Sequence, residues 1–356
     1  MKKIMIAVAT AAALLVVAEN ESLAARDFTD TVNHWSQPSI REAVDKGYVD
    51  GYPDGTFKPD GAVTRAEFIK MVATAIGKKV TPEQSNLWYL PYVKALQDDG
   101  ILSETFYSDD MAYPMVRSEM AMVATKAADT KSAAAVEDAV KLGLIGGVGG
   151  GELDEKGNTT RAQAVTIIER ILSKRAGKEL PVDEAALDMA TINKVGTNIE
   201  RVWKIKPVAL PVEGKWGNGV TIKVNKVVML DYNKGADQPY GHLFDGYYQN
   251  RRMDLTKFDV IAFQVDITVE GTESGVYAYR DFFKPDTVVS HGNVNFNEKY
   301  NPTGRVEGLD TGKKASYSGW TGYAVTKTTK QAQFEDRGKS QPLVMTIGNN
   351  SVTIAE

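Results

Sequence analysis

The chain of 356 residues contains no cysteine. That excludes disulfides, thiol nucleophiles and cysteine metal sites, and leaves the fold to be held by its cores and its neighbours. Histidine is nearly as scarce: there are 3, and only His242 and His291, 49 residues apart, lie in the second half. No third ligand accompanies them, so no metal site is expected. No phosphate loop, nucleophile elbow or zincin motif occurs. The protein therefore reads as a non-enzyme without a cofactor. An excess of positive charge is also missing. The formal net charge of −4 argues against nucleic acid as the main partner, because phosphate binding needs a basic surface.

A run long enough to span a membrane is absent too. The apolar stretch Ile4 to Ala18 has 15 residues, short for a span, and Glu19-Asn20-Glu21 ends it. Lys2 and Lys3 precede it and Ser22-Leu23-Ala24 follows, so residues 1–24 read as a secretory signal cleaved after Ala24. Cleavage removes Lys2, Lys3, Glu19 and Glu21, so the charge stays at −4. No membrane partner is expected afterwards.

What is present is ordinary globular composition, 43% hydrophobic and 25% charged, and an internal period. From Trp35, Ile40 lies 5 residues on and Gly47 12 residues on; from Trp88, Val93 and Gly100 keep the same distances. Gly47 to Arg65 is 18 residues, Gly143 to Arg161 is 18, and Gly100 to Arg117 is 17. An apolar helix follows each arginine: Ala66 to Ile76, Ser118 to Ala128 and Ala162 to Leu172. Each copy reads as helix, glycine stop, turn-rich loop and capped helix. One such pair is too small to bury a core, and a pseudo-threefold all-α bundle of three copies is the natural closed solution. The expected boundaries are 25–79, 80–128 and 129–176, followed by a linker or capping helix over 177–195.

The copies are unequal. Thr64 and Glu67 make a capping box in the first, and Thr160 and Gln163 an equivalent in the third; the second has Val116 at the cap. The third has Lys131 at the tryptophan position, Lys126 where Asp30 aligns, and Gly150-Gly151 in place of Asp54-Gly55.

Phe28-x-Asp30, Trp35, Gly47, "DGTFKP" and "TRAE" together resemble the S-layer homology (SLH) motif, with three tandem copies at the N-terminus. The resemblance implies a three-pronged helical bundle of an exported cell-surface protein. Its grooves would bind a secondary cell-wall polysaccharide, often carrying a pyruvate ketal. Export without cysteine suits a Gram-positive surface protein. Arg65, Arg117 and Arg161 follow as anion-binding candidates. A cation is unfavourable at a helix N-terminus, whereas free N–H groups there attract an anion and a guanidinium matches a carboxylate. The competing reading pairs Arg65 with a carboxylate of its own chain, Asp54 or Glu67. Trp35 and Trp88 read either as core anchors or as platforms for a sugar ring. Asp30 reads as the cap of a turn or as a partner of sugar hydroxyls. Gly47, Gly100 and Gly143 read as left-handed helix stops, and in the family this glycine also lets ligand approach the backbone. With the third copy so altered, one or two working grooves are expected.

Residues 196–356 change to strand texture. "VTIKVNKVVML" from Val220 alternates and then shifts face, as a bulge would. "DVIAFQVDITVE" alternates cleanly, "GTESG" reads as a hairpin into "VYAYRDFF", and a closing hairpin turns at Asn349-Asn350. An antiparallel β-sandwich, immunoglobulin-like in the broad sense, is expected. Asp231, Asp237, Asp245 and Asp254 read as solvated loop charge. Tyr240, Phe244, Tyr247, Tyr248, Arg251 and Arg252 read as loop packing or a binding surface. The sandwich would serve self-assembly with neighbouring copies or display; the competing reading makes it a binding module for glycan, peptide or protein.

Overall fold

The computed structural model describes residues 28–81, 86–106, 110–217, 219–234, 236–243, 247–248, 251–252, 257–272, 275–277, 283–286, 290–293, 309–327 and 342–356. The secretory signal expected over 1–24 lies outside them. The described part is mixed: a helical first half and an antiparallel β second half.

Six helices build the first half: α1 (Gln37–Asp45), α2 (Arg65–Ala75), α3 (Leu90–Asp98), α4 (Arg117–Ala128), α5 (Val136–Lys141) and α6 (Arg161–Arg175). Their starts follow the local chemistry. At α2 the Glu67 N–H donates to Thr64 Oγ1 (3.2 Å) while the Thr64 N–H donates to Glu67 Oε2 (2.8 Å). Thr160 and Gln163 do the same for α6. Val116 has no hydroxyl, so only the Glu119 half survives at α4, at 3.3 Å. Phe68, Ile69 and Val72 of α2, Met120 and Ala124 of α4, and Val165 and Ile168 of α6 share one core.

The segments entering α2, α4 and α6 close a ring. The Val63 N–H donates to the Thr159 carbonyl (2.9 Å), Thr159 to Met115 (2.8 Å) and Met115 back to Val63 (2.9 Å). All three side chains are fully buried. The first turn of each helix then leans on the next unit. Arg65 N–H donates to the Tyr113 carbonyl (3.1 Å), Arg117 to Gly157 (2.9 Å) and Arg161 to Gly61 (2.8 Å). The following amides of Ala66, Ser118 and Ala162 bond Met111, Glu155 and Pro59 in the same order.

Helix α7 (Glu184–Val195) starts at Asp183, whose carboxylate accepts from the Ala186 N–H. Its Ala186, Leu187, Met189 and Ala190 complete the helical core, while Ile192 packs with Val228, Leu230, Val260 and Trp320 of the second half. The junction helix therefore belongs to both cores. Arg201 on α8 (Ile199–Trp203) fastens it by bonding Asp188 (2.7 Å) and Glu184 (2.6 Å).

The strands are β1 (Val212–Trp216), β2 (Val220–Asp231), β3 (Tyr247–Tyr248), β4 (Arg251–Arg252), β5 (Phe258–Glu270), β6 (Val276–Tyr277), β7 (Phe283–Pro285), β8 (Ser290–Asn293), β9 (Leu309–Asp310), β10 (Lys314–Thr326), β11 (Leu343–Ile347) and β12 (Asn350–Ala355). One sheet runs β1-β2-β5-β10-β8 and another β12-β11-β7, both antiparallel. Ile222, Phe263, Val265 and Ile267 of the first share a core with Phe283, Leu343, Met345 and Ile354 of the second. The bulge expected in β2 is present, the register on β5 shifting between Val224 and Lys226. Two expectations are corrected. β5 is flanked by β2 and β10, so β6 does not fold back on it and pairs with β9 instead. The closing turn is Gly348-Asn349, one residue earlier than expected, because Gly348 supplies the positive φ (+66°) that the first turn position of a tight hairpin needs.

Candidate functional site

The three arginines occupy equivalent places but differ in partner. Arg65 makes a two-point ion pair with Glu119, and its Nη1 donates to the Asp110 carbonyl (3.1 Å). The bonds to Glu119 hold Arg65 above the usual arginine range. Arg117 donates to the Leu153 and Gly146 carbonyls (2.9 and 3.0 Å), and Arg161 to those of Phe57 and Asp50 (2.9 and 3.1 Å). Each of these two is only 7% exposed. Arg161 also lies over the rings of Phe57 (4.6 Å) and Tyr52 (5.0 Å). Burial pulls Arg117 down, opposed by nearby Asp154, yet a guanidinium stays charged at physiological pH.

The own-chain carboxylate at Arg65 is thus neither Asp54 nor Glu67 but Glu119, 54 residues away. Of the helix N-terminal N–H groups expected to be free for an anion, the first two in each of α2, α4 and α6 are taken by neighbouring carbonyls, and at α2 and α6 the third is taken by the threonine cap. Glu119 was missed because only ring closure brings it to Arg65. Its one signal was that it repeats the glutamate of "TRAE".

Trp35 and Trp88 are 62% and 52% exposed, which overturns the core reading. Tyr113 is exposed beside the start of α2, at the position held by Gly61 and Gly157 in the other two units. Asp30 is neither a simple turn cap nor free: its carboxylate accepts from the Phe57 (2.8 Å) and Lys58 (2.7 Å) N–H groups. Asp30 and Arg161 therefore hold the same loop, one by its amides and the other by the Phe57 carbonyl.

Gly47, Gly100 and Gly143 take φ of +73°, +69° and +71°, as helix stops should. The surroundings differ. A Cβ built at Gly47 or Gly100 would meet nothing within 4 Å, whereas at Gly143 it would run into Leu180 and Pro181.

In the second half, Asp231 is not simply solvated. Burial would raise it, but Lys327 (2.9 Å) holds it below the usual carboxylate range. Asp237 is exposed, and Asp245 and Asp254 lie outside the described residues. Tyr240 packs on Trp320 (4.7 Å between rings) and accepts from Lys226 (2.9 Å), so it serves packing. Tyr247 and Tyr248 pair with Arg252 and Arg251 as a short ladder; Phe244 lies outside the described residues. Among the described residues no His, Asp or Glu cluster fits a metal ion, and no helix is long and apolar enough to cross a membrane.

Residues 27–69, which hold Asp30, Trp35, Gly47 and Arg65, match the S-layer homology domain. An S-layer protein of Bacillus licheniformis is 24% identical over 264 residues, covering 65% of this chain and 29% of its own length. An S-layer protein of Bacillus thuringiensis subsp. finitimus is 25% identical over 301 residues, covering 77% and 36%. An amylopullulanase of Thermoanaerobacterium thermosulfurigenes is 26% identical over 178 residues, covering 42% and 10%. The chain thus spans little more than a third, at most, of these relatives' length.

The protein is a cell-surface protein. The relatives it resembles are mostly S-layer proteins, and an enzyme shares part of the likeness.

Proposed function

We propose that the protein is exported and anchored non-covalently to the cell wall through three tandem SLH repeats, corresponding to the three helix-loop-helix units. Its ligand is a secondary cell-wall polysaccharide, and a pyruvate ketal on it supplies the anionic group. The second half, an antiparallel β-sandwich, assembles with neighbouring copies or is displayed. The observation that carries the anchoring reading is the pair of exposed indoles, Trp35 and Trp88, at matching places before the glycines Gly47 and Gly100, whose surroundings are open. Exposed indoles are costly to leave in water and are suited to stacking on the apolar face of a sugar.

The residues divide the work. Trp35 and Trp88 stack, Arg65 meets the carboxylate of the ligand by exchanging it for Glu119, and Gly47 and Gly100 admit the sugar. Asp30, Arg117 and Arg161 act by holding the loops that shape the grooves. The test uses residues 25–356, with isolated walls either intact or stripped of polysaccharide. Binding to intact walls only, weakened several-fold by Trp35→Ala or Trp88→Ala with unchanged melting, supports the reading. Equal binding to stripped walls, or indifference to both substitutions, refutes it.

A further inference from the structure

The geometry points to a third unit that has become a socket for the second half of the chain and is closed to saccharide. The inference rests on the wall-anchoring reading for what the other two units do. Gly47 and Gly143 end equivalent helices with the same backbone conformation. Gly47 stands open, whereas a Cβ at Gly143 would lie 2.7 Å from Leu180 Cβ and 2.8 Å from the Pro181 carbonyl. Gly55 and Gly151 repeat the contrast: Gly55 is open, while at Gly151 the added atom would lie 2.5 Å from the Ala185 carbonyl. Residues 180–185 therefore run along the third unit over the surface that the first unit leaves bare.

The strap is fixed by its own chemistry. One oxygen of Asp183 starts α7 by accepting from the Ala186 N–H (3.0 Å), and the other accepts from the Gly147 N–H (3.0 Å). Farther along, Lys194 pairs with Glu137 (2.7 Å) and Asn193 bonds Glu155 (3.2 Å). The second half adds its own cover, with the Ala236 carbonyl 3.0 Å from where a Gly150 Cβ would sit. This accounts for the run "GGVGGG": a loop stripped of side chains admits the strap. The same unit has Lys131 and Lys126 where the first has Trp35 and Asp30, so it also lacks the sugar platform.

Two measurements on residues 25–356 decide it. The first needs no saccharide. Gly47→Ala and Gly143→Ala carry the same backbone strain, and only the second adds a clash. Gly143→Ala is expected to melt at least about 3 °C below Gly47→Ala and to speed hydrogen exchange in α7; equal shifts overturn the socket. The second adds a single-repeat fragment of the wall polysaccharide. Protection from exchange is expected around Gly47 and Gly100, with two sites by calorimetry; protection across 143–151, or a third site, overturns the closure. If nothing is protected while Gly143→Ala still shows its extra loss, the wall-anchoring reading fails and the socket stands.

Discussion

Arg65 and Glu119 grip each other at two points across neighbouring units, Nε to Oε2 at 2.9 Å and Nη2 to Oε1 at 2.6 Å. Both side chains are about four-fifths covered. The ion pair is a clamp between units and, for the carboxylate of the proposed ligand, would be a competitor. Glu119→Gln should therefore lower stability by about 1 kcal/mol in urea melts and strengthen binding to intact walls. Arg65→Ala should weaken both. If Glu119→Gln weakens wall binding as much as Arg65→Ala does, Arg65 acts only as half of a structural pair.

At the centre of the ring, Thr159 is fully buried and its hydroxyl has no hydrogen-bond partner among the described residues. A buried donor without a partner costs free energy that an apolar group of the same shape avoids. Thr159→Val keeps the shape and the backbone bonds, so it should stabilise the protein by about 1 kcal/mol. A lower denaturation midpoint for this variant would reveal a partner for the hydroxyl.

Asp30 holds the loop before α2 through the amides of Phe57 and Lys58. Asp30→Ala should cost about 1–2 kcal/mol, as expected for losing charge-assisted bonds. The Phe57 and Lys58 amides should exchange with solvent faster while those of α4 are unchanged. Uniform exchange in wild type and variant would place the loop under other control.

Glu137 on α5 is 8% exposed and reaches Lys194 of α7. Burial would raise it, but Lys141 and Lys194, each at 2.7 Å, hold it below the usual glutamate range. A carboxylate held low in the fold contributes stability that is fully present above its unfolded value, about 4.3, and is lost as pH falls through its folded value. Glu137→Gln should thus be less stable than wild type at pH 7, and the gap should narrow as pH drops below about 4. Urea melts at pH 7, 5 and 3.5 measure this. A gap that stays constant would assign the effect to packing.

Much of the first half was legible because its signals are local. Thr64 with Glu67 and Thr160 with Gln163 mark helix starts by hydrogen bonds only three residues long, and α2, α4 and α6 begin one residue from where the sequence puts them. β5 was legible because Ile261, Phe263, Val265, Ile267 and Val269 alternate into one core. Partners set by tertiary closure were not. Nothing near Arg65 names Glu119, and "GTESG" looks like a hairpin although both edges of β5 are already occupied. Trp35 and Trp88 were ambiguous for a different reason: an indole at a helix start serves a core or a surface equally well, and only the fold decides. The strap over Gly143 left one trace, an excess of glycine whose purpose is visible only with Leu180 and Ala185 in place.

Helix α7 carries a consequence for load. Leu187 is embedded among the helical units and Ile192, little more than a turn later, among the strands. If the first half is held at the wall, as proposed, a pull on the second half would not peel a flexible leash. It would load one short rod seated in two packed interiors, with Asp183 and Lys194 bonding from its two ends and Arg201 of α8 gripping its side. On the proposed anchoring, force applied to the second half would be passed into the helical core through this one helix rather than through a loose linker.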